Sequence, residues 1–531
     1  LDWESMVLGA FVGGAAGNIP LMDASTTYDG ENRRGAVQSR SIFLEGTYDF
    51  SDTLKLIAGA RYNDDRASSL TTTAAIGGLL LSNTSAGAIV PGFVPVGSQT
   101  CAGGAGLAIP GTNCVGYPAT FRQPTGTTGQ QNSTTDKWTG RATLQWSPHL
   151  SWTDQTQVYA TLSRGELAGG VNKVQGGGSA LVVPLVYQPA TVDAIEVGTK
   201  NTLFDGTLQA NLDFWYYNYE NYQVGIIANR AALTFNIPAH LYGMEGEFVW
   251  QPQEDLAFNL TLSLTRSEAG NAFITDQRNP TGGQANAVLV KDVTNGSLCV
   301  VTPTAAGSTG HTPGESSALH VNNFYLPNGG NAAVDAPFGV PLVNYGLCNP
   351  TATYATAANL ATDAPWFVPT PGHALPTYQD AMQHAGFTYT TATDPRTGAA
   401  TTIVDGTGIA RNIHGNKLPQ VPNAQIGVGG QYTFHWDDYQ IVPRVDYYWQ
   451  SSMFARVING PADYIGSWDT MNAQIRLTPT DQKWYAQVFA TNIFNKENPT
   501  GMYLTDPTSA LFTNVFAEDP RVVGISVGMN W

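Results

Sequence analysis

Arg521-Val522-Val523-Gly524-Ile525-Ser526-Val527-Gly528-Met529-Asn530-Trp531 is the stretch on which the fold turns. Val523, Ile525, Val527, Met529 and Trp531 fall on one face of an extended segment; Gly524, Ser526, Gly528 and Asn530 fall on the other. Successive side chains of a strand point to opposite faces, so this strand is apolar on one side and small or polar on the other. Closing a long, strand-rich chain without helix signals, it points to an all-β, transmembrane antiparallel up-and-down β-barrel of the outer-membrane kind. In such barrels apolar side chains meet lipid and polar ones meet the lumen. The aromatic Trp531 is the expected insertion signal, to be read by the barrel assembly machinery.

Composition agrees. Only 12% of the residues are charged, about half the usual share, while aromatics reach 11%. Such a chain suits β structure better than helix and is too aromatic and aliphatic to be disordered. The net charge of −16 argues against nucleic acid as a partner, since nucleic acid calls for clustered Lys and Arg. No run of about 18 apolar residues occurs, so no spanning helix is expected. The chain opens Leu1-Asp2-Trp3-Glu4, the pattern of a processed protein or of a piece of a longer one. Cys101, Cys114, Cys299 and Cys348 fall in segments read as loops. An even count in an exported chain suggests disulfides, with nearest-neighbour pairing, Cys101 to Cys114 and Cys299 to Cys348, favoured among the possible connectivities. No Cys-x-x-Cys spacing favours zinc.

Reading outward from the last strand by period two gives about fourteen strands. They are expected near 3–14, 36–50, 53–65, 135–147, 155–165, 190–203, 206–220, 238–252, 255–267, 421–435, 438–451, 464–478, 482–494 and 521–531. In one of them Leu256, Phe258, Leu260, Leu262 and Leu264 share a face, with Ala257, Asn259, Thr261, Ser263 and Thr265 opposite. The connections alternate between short, as at Ser51-Asp52, Asp205-Gly206 and Gln253-Glu254, and long, as over 66–134 and 268–420. That alternation puts short turns at one end of a sheet and long loops at the other, the asymmetry of periplasmic turns and extracellular loops. Trp146, Phe204, Trp250, Phe434, Trp436 and Trp484 flank the short turns, where an interfacial aromatic girdle belongs.

Tyr159-Ala160-Thr161-Leu162-Ser163-Arg164-Gly165, followed by Gly169-Gly170-Val171-Asn172, is similar to the "Y-x-x-x-S-R-G-x-x-x-G-G-x-N" segment of TonB-dependent outer-membrane receptors. Glu196-Val197-Gly198-Thr199-Lys200 resembles their "E-x-G-x-K" strand, Gly243-Met244-Glu245 their "G-x-E", and Gly59-Ala60-Arg61-Tyr62 their "G-x-R-Y". Asn492-Ile493-Phe494-Asn495-Lys496 resembles "N-L-F-D-K", and Asp519-Pro520-Arg521 opens the final strand as "D-P-R" does in the family. Trp3 to Phe11 resembles a mid-barrel "W-x-x-G-x-F" strand. The pieces are short, but they stand in family order across nearly the whole chain.

The resemblance implies a plug inside a barrel of about 22 strands. No plug or TonB-box segment is recognisable, so residues 1–531 are expected to be the C-terminal part of that barrel. Plug and first strands would then come from a longer protein or a partner chain. Arg61, Glu196, Lys200 and Glu245 are expected to face the lumen as a charge network, since buried charges need partners.

By resemblance the function is import of a scarce nutrient across the outer membrane of a Gram-negative bacterium. The ligand would be a small molecule such as a siderophore, a vitamin or an oligosaccharide. Energy would come from the TonB–ExbB–ExbD complex acting through the plug. The alternatives are a passive outer-membrane channel of about 14 strands and a surface or structural barrel in a larger assembly. An enzyme is not expected: no Gly-x-Ser-x-Gly elbow occurs, the histidines are scattered, and nothing calls for a cofactor or metal.

Overall fold

The structure is a computed structural model. It describes residues 27–76, 100–101, 104–107, 115–116, 129–172, 186–228, 231–283, 288–291, 298–303, short stretches between 367 and 402, 409–505 and 511–529. Its main element is a 14-stranded antiparallel sheet whose strand order follows the chain. We label the strands β1 (Thr27–Ser51), β2 (Leu54–Ile76), β3 (Gly129–Trp146), β4 (Gln155–Leu167), β5 (Ala190–Leu203), β6 (Leu208–Ala228) and β7 (Ala231–Gln253). They continue as β8 (Leu256–Ala269), β9 (Ala424–Tyr432), β10 (Tyr439–Gln450), β11 (Trp468–Pro479), β12 (Trp484–Thr491) and β13 (Val522–Met529). A short piece, Phe434–Trp436, continues β9 past Thr433 and pairs with β10.

Each expected strand from 36–50 onward is present. The one expected at 3–14 lies outside the described residues, as do Trp531 and the side chains of all four cysteines. Differences lie at the strand ends. Residues 66–71 and 129–134, read as loop, pair as Arg66 with Thr134 through Thr71 with Gly129, and 72–76, also read as loop, pair with the start of β1. The segment 221–237 is a hairpin that continues β6 and β7 past a register shift between Tyr219 and Tyr222. Tyr464–Ile465, expected in β11, pairs instead with Met453–Phe454.

The turns explain the short ends. Phe204, Asp205 and Gly206 all take positive φ, at 58°, 56° and 85°. Positive φ at the turn centre matches the twist of the flanking strands, and Asp and Gly tolerate it at least cost. Neighbouring short turns are tied together: Gly206 N donates to Asp154 Oδ2 at 2.9 Å, and His435 Nε2 lies 2.7 Å from Asp255 Oδ1.

The register fixes the two faces. Leu260 lies opposite Phe248 on β7 and Val428 on β9, so these three share one face. Val523, Ile525, Val527 and Met529 of β13 lie on the same side and are strongly exposed, Ile525 at 76%. Two aromatic bands bound this apolar face. Near the short turns Trp250 packs on Phe258 (5.9 Å between rings), Tyr432 on Phe434 (4.6 Å) and Tyr439 on Trp484 (6.1 Å). Farther up stand Tyr62 with Trp138 (5.2 Å) and Tyr216 with Tyr242 (6.5 Å). The bands are separated by about eight to ten tilted residues, roughly 20–25 Å at 3.3 Å per residue, the height of a bilayer's apolar band. β1, with 25 residues, continues well beyond it on the long-loop side.

There the loops build the buried core of the molecule. Val224, Ile237, Ala239, Ala269, Ile274, Ile413, Leu418 and Val457 form one cluster between the outer ends of β6 to β8 and the bases of the following loops. Replacing Leu260 by Arg puts a cation on the apolar face near mid-band, at a cost of about 2–4 kcal/mol. We expect Leu260→Arg to fail to accumulate as a folded, heat-modifiable species in outer-membrane fractions. Ser263→Arg, on the polar face, is expected to assemble normally. Equal assembly of both variants would contradict the assignment of faces.

Candidate functional site

The other face of the sheet is polar, and over β1 to β6 it curls into a trough of about 790 Å³. Its lining comes from successive strands: Glu45 of β1, Arg61 of β2, Arg141 of β3, Ser163 of β4, Glu196 of β5 and Tyr217 of β6. A single space lined from six neighbouring strands requires the sheet to curve toward this face.

The residues expected as one charge network divide between two places. On β1 to β3, Arg141 donates to Glu45 Oε2 from Nε (3.2 Å) and Nη2 (2.8 Å), and Arg61 Nη2 donates to Ser41 Oγ at 2.9 Å. On β4 and β5, Tyr159 Oη donates to Glu196 Oε1 at 2.6 Å, and the Lys200 ammonium lies 5.8 Å from the centre of the Tyr159 ring. Glu245 of β7 stands directly opposite Asp213 of β6, which itself stands opposite Gly198 of β5. The wall from β5 to β7 therefore carries Glu196, Asp213 and Glu245 side by side, with Lys200 as the nearby cation. Arg61 belongs to the other group.

Gly198 makes the Tyr159–Glu196 contact possible. Tyr159 is its direct cross-strand partner, and a methyl group on Gly198 would come within 2.6 Å of the ring. The ring crosses β5 over this glycine to reach a carboxylate two residues away. The glycine and the glutamate were legible in "E-x-G-x-K"; the tyrosine was not paired with them in the sequence reading. Its signal was the common parity of Tyr159 and Glu196 on neighbouring strands.

The remaining family-like segments shape the outer ends of the strands. Asn172 is buried and imitates a strand residue, its Nδ2 donating to Thr234 O and its Oδ1 accepting from Thr234 N, both at 2.7 Å. This hangs the loop after β4 on the outer end of β7. Asn236 supports it, bonding the backbone of Gln188 in both directions at 2.7 and 2.9 Å. Asn492 ends β12 with φ at 45°, and its Nδ2 donates to Lys496 O (2.8 Å) and Asp519 O (3.0 Å). Lys496 Nζ in turn meets both carboxylate oxygens of Asp469, at 2.5 and 2.6 Å. "N-I-F-N-K" and "D-P-R" are thus two sides of one corner that returns the last outer loop to β13.

Among the described residues no group of three or more His, Cys, Asp or Glu could hold a metal ion. The wall offers instead hydroxyls, carboxylates and guanidinium groups that can pair with a polar surface laid against it.

Tyr159→Phe leaves the Glu196 carboxylate without its hydroxyl donor and is expected to destabilise the sheet by about 1–3 kcal/mol. Gly198→Ala displaces the same ring. The losses of the two single variants should therefore not add in the double variant. Urea titration of the four proteins in micelles checks this, and full additivity would show that Gly198 does not act through Tyr159.

The sequence profile described as "TonB dependent receptor-like, beta-barrel" matches residues 8–361, more than half of the chain. No curated protein sequence matches it. Among solved structures, it is similar to the ferric yersiniabactin uptake receptor FyuA from Yersinia pestis, with 12% identity, a TM-score of 0.49, and coverage of 93% of this chain and 45% of that one. The siderophore receptor PiuA from Acinetobacter baumannii gives 11% identity and a TM-score of 0.45 over 93% of this chain and 43% of its own. The copper transporter OprC gives 10% and 0.46 over 93% and 48%. The chain spans less than half the length of each of these structures. With the profile extending over β1 to β8, this chain belongs to the TonB-dependent receptor β-barrel family.

Proposed function

We propose that this chain forms much of the barrel wall of an outer-membrane receptor that imports a scarce nutrient. What supports this reading, beyond family membership, is the two-faced sheet. An apolar face bounded by aromatic bands suits a bilayer, and the opposite face is a polar trough under a packed outer mouth. The free sides of β1 and β13 have no strand partner among the described residues. An unpaired edge in hydrocarbon leaves backbone groups unsatisfied, so further strands complete the wall. In this reading residues 1–531 are the C-terminal part of the barrel, and the added part carries the plug through which the TonB–ExbB–ExbD complex delivers energy.

The ligand is a small molecule captured at the outer loops: an iron chelate, a vitamin or an oligosaccharide. Arg61, Glu196, Lys200 and Glu245 serve the wall, holding it together and holding the plug. They do not touch the ligand.

Uptake by whole cells tests the reading. Cells carrying the intact gene and cells lacking it are given a ferric siderophore, cobalamin and a maltooligosaccharide, each radiolabelled. The measurement is repeated after collapse of the proton-motive force. Saturable uptake of one label that needs both the gene and the proton-motive force is the expected result. Uptake that needs the gene, rises linearly with concentration and survives de-energisation would instead describe a passive channel.

A further inference from the structure

Three outer connections meet at a buried charge network that no family-like segment contains. Asp276 and Arg278 lie at the start of the connection from β8 to β9, Arg456 and Asp463 in that from β10 to β11, and Thr513 in that from β12 to β13. Asp463, only 2% exposed, is the hub. Its Oδ1 accepts from Arg456 Nε (2.6 Å) and Arg278 Nη1 (3.4 Å), and its Oδ2 from Arg456 Nη2 (3.0 Å) and Gly460 N (3.1 Å). Asp276 Oδ1 accepts from Arg456 Nη2 at 3.2 Å and from Arg278 N at 3.1 Å. Arg278 Nη2 also donates to Thr513 Oγ1. Two arginines and two aspartates balance in charge, and each joins at least two of the others or a neighbouring loop.

We propose that this network locks the bases of the three outer connections into one body, which moves as a unit at the mouth of the barrel. Two physical points carry the proposal. Removing one partner of a buried ion pair leaves an uncompensated charge, so neither of the first two loop bases separates without unsettling the other, and the third is tied to them through Arg278 and Thr513. Two of these connections, β8 to β9 and β10 to β11, also pack together in the apolar cluster around Ile274, Ile413 and Val457. Bonds between the first two connections seal the joint: Gln420 N donates to Phe454 O at 2.8 Å and Lys417 N to Asn459 Oδ1 at 2.7 Å. Rearrangement at the mouth would then be one cooperative event, with opening governed by Asp463.

Hydrogen–deuterium exchange on the full protein in outer-membrane vesicles tests this. Asp463→Asn keeps the shape and removes the charge. Exchange should rise together in peptides covering 272–276, 410–418, 455–459 and 499–504, by at least about tenfold, while β9 and β10 stay protected. Thr513→Val removes only the outermost bond and should accelerate 499–517 alone. Acceleration in Asp463→Asn confined to 455–463 would overturn the proposal. Should that variant not accumulate, Arg278→Gln carries the same test: joint acceleration of 272–283, 455–463 and 499–517 supports it, and acceleration of 272–283 alone overturns it.

Discussion

The antiparallel ladder is the constraint from which the rest follows. Hydrocarbon offers no partner to a backbone N–H or C=O, so each strand crossing it must satisfy these groups on its neighbours. Here each strand pairs with the strands before and after it in the chain, and the ladder runs without a crossover from β1 to β13. Once the register is set, parity has no freedom left: a slip of one residue would turn every apolar side chain to the wrong face. The alignment of Glu196, Asp213 and Glu245 across three strands is a by-product of that parity. The same constraint falls on the outer sides of β1 and β13, which have no strand partner among the described residues.

Parity alone leaves the polar face with a packing problem, because glycines there open gaps between strands. The molecule fills them in a repeated way. Tyr159 lies over Gly198, Trp215 over Gly243, Phe489 over Gly524 and Tyr485 over Gly528, each aromatic being the direct cross-strand partner of its glycine. A methyl group on any of the four glycines would come within 2.8 Å of the ring or of backbone. Covering a strand glycine with a neighbouring ring restores the apolar contact the glycine lacks and pins the register at that step. The small residues of the final strand therefore act as seats for the rings of β12, in addition to being polar-face spacers.

How far the sequence could be read depends on where each residue sits relative to the bilayer. Within the band, one face meets lipid and the other the interior, so alternation is strong: Leu256 to Leu264 and Val523 to Met529 could be read directly, and so could Leu260's side. Beyond the band both faces are wet, and alternation fades. Arg66-Ala67-Ser68-Ser69 carries no periodic signal, yet it is paired strand. For the same reason 221–237 read as a connection. Among the site residues, Glu196 and Glu245 carried an expectation of facing inward, but the hydroxyl that Glu196 meets comes from a different strand. The Asp463 network was hidden altogether: its bonded members stand up to 235 positions apart, and only folded loops bring them together.

Charge adds a last step. The buried groups at the mouth cancel one another, and Glu45 with Arg141 does the same in the trough. Neutral pairs hold shape and contribute little field at a distance. The surplus of acid, −16 over the chain, must therefore reside in groups outside these pairs, such as Asp213 and Glu245 on the β6–β7 wall. That division separates two jobs in one barrel. The paired charges at the mouth fix the positions of loops with little screening because they are largely buried, whereas the half-exposed Glu45–Arg141 pair is weakened by salt, and the field of acids outside these pairs is damped beyond about 8 Å at physiological ionic strength. The charges that hold the mouth and the acids that set the field along the wall are thus different residues, so one set can change without disturbing the other.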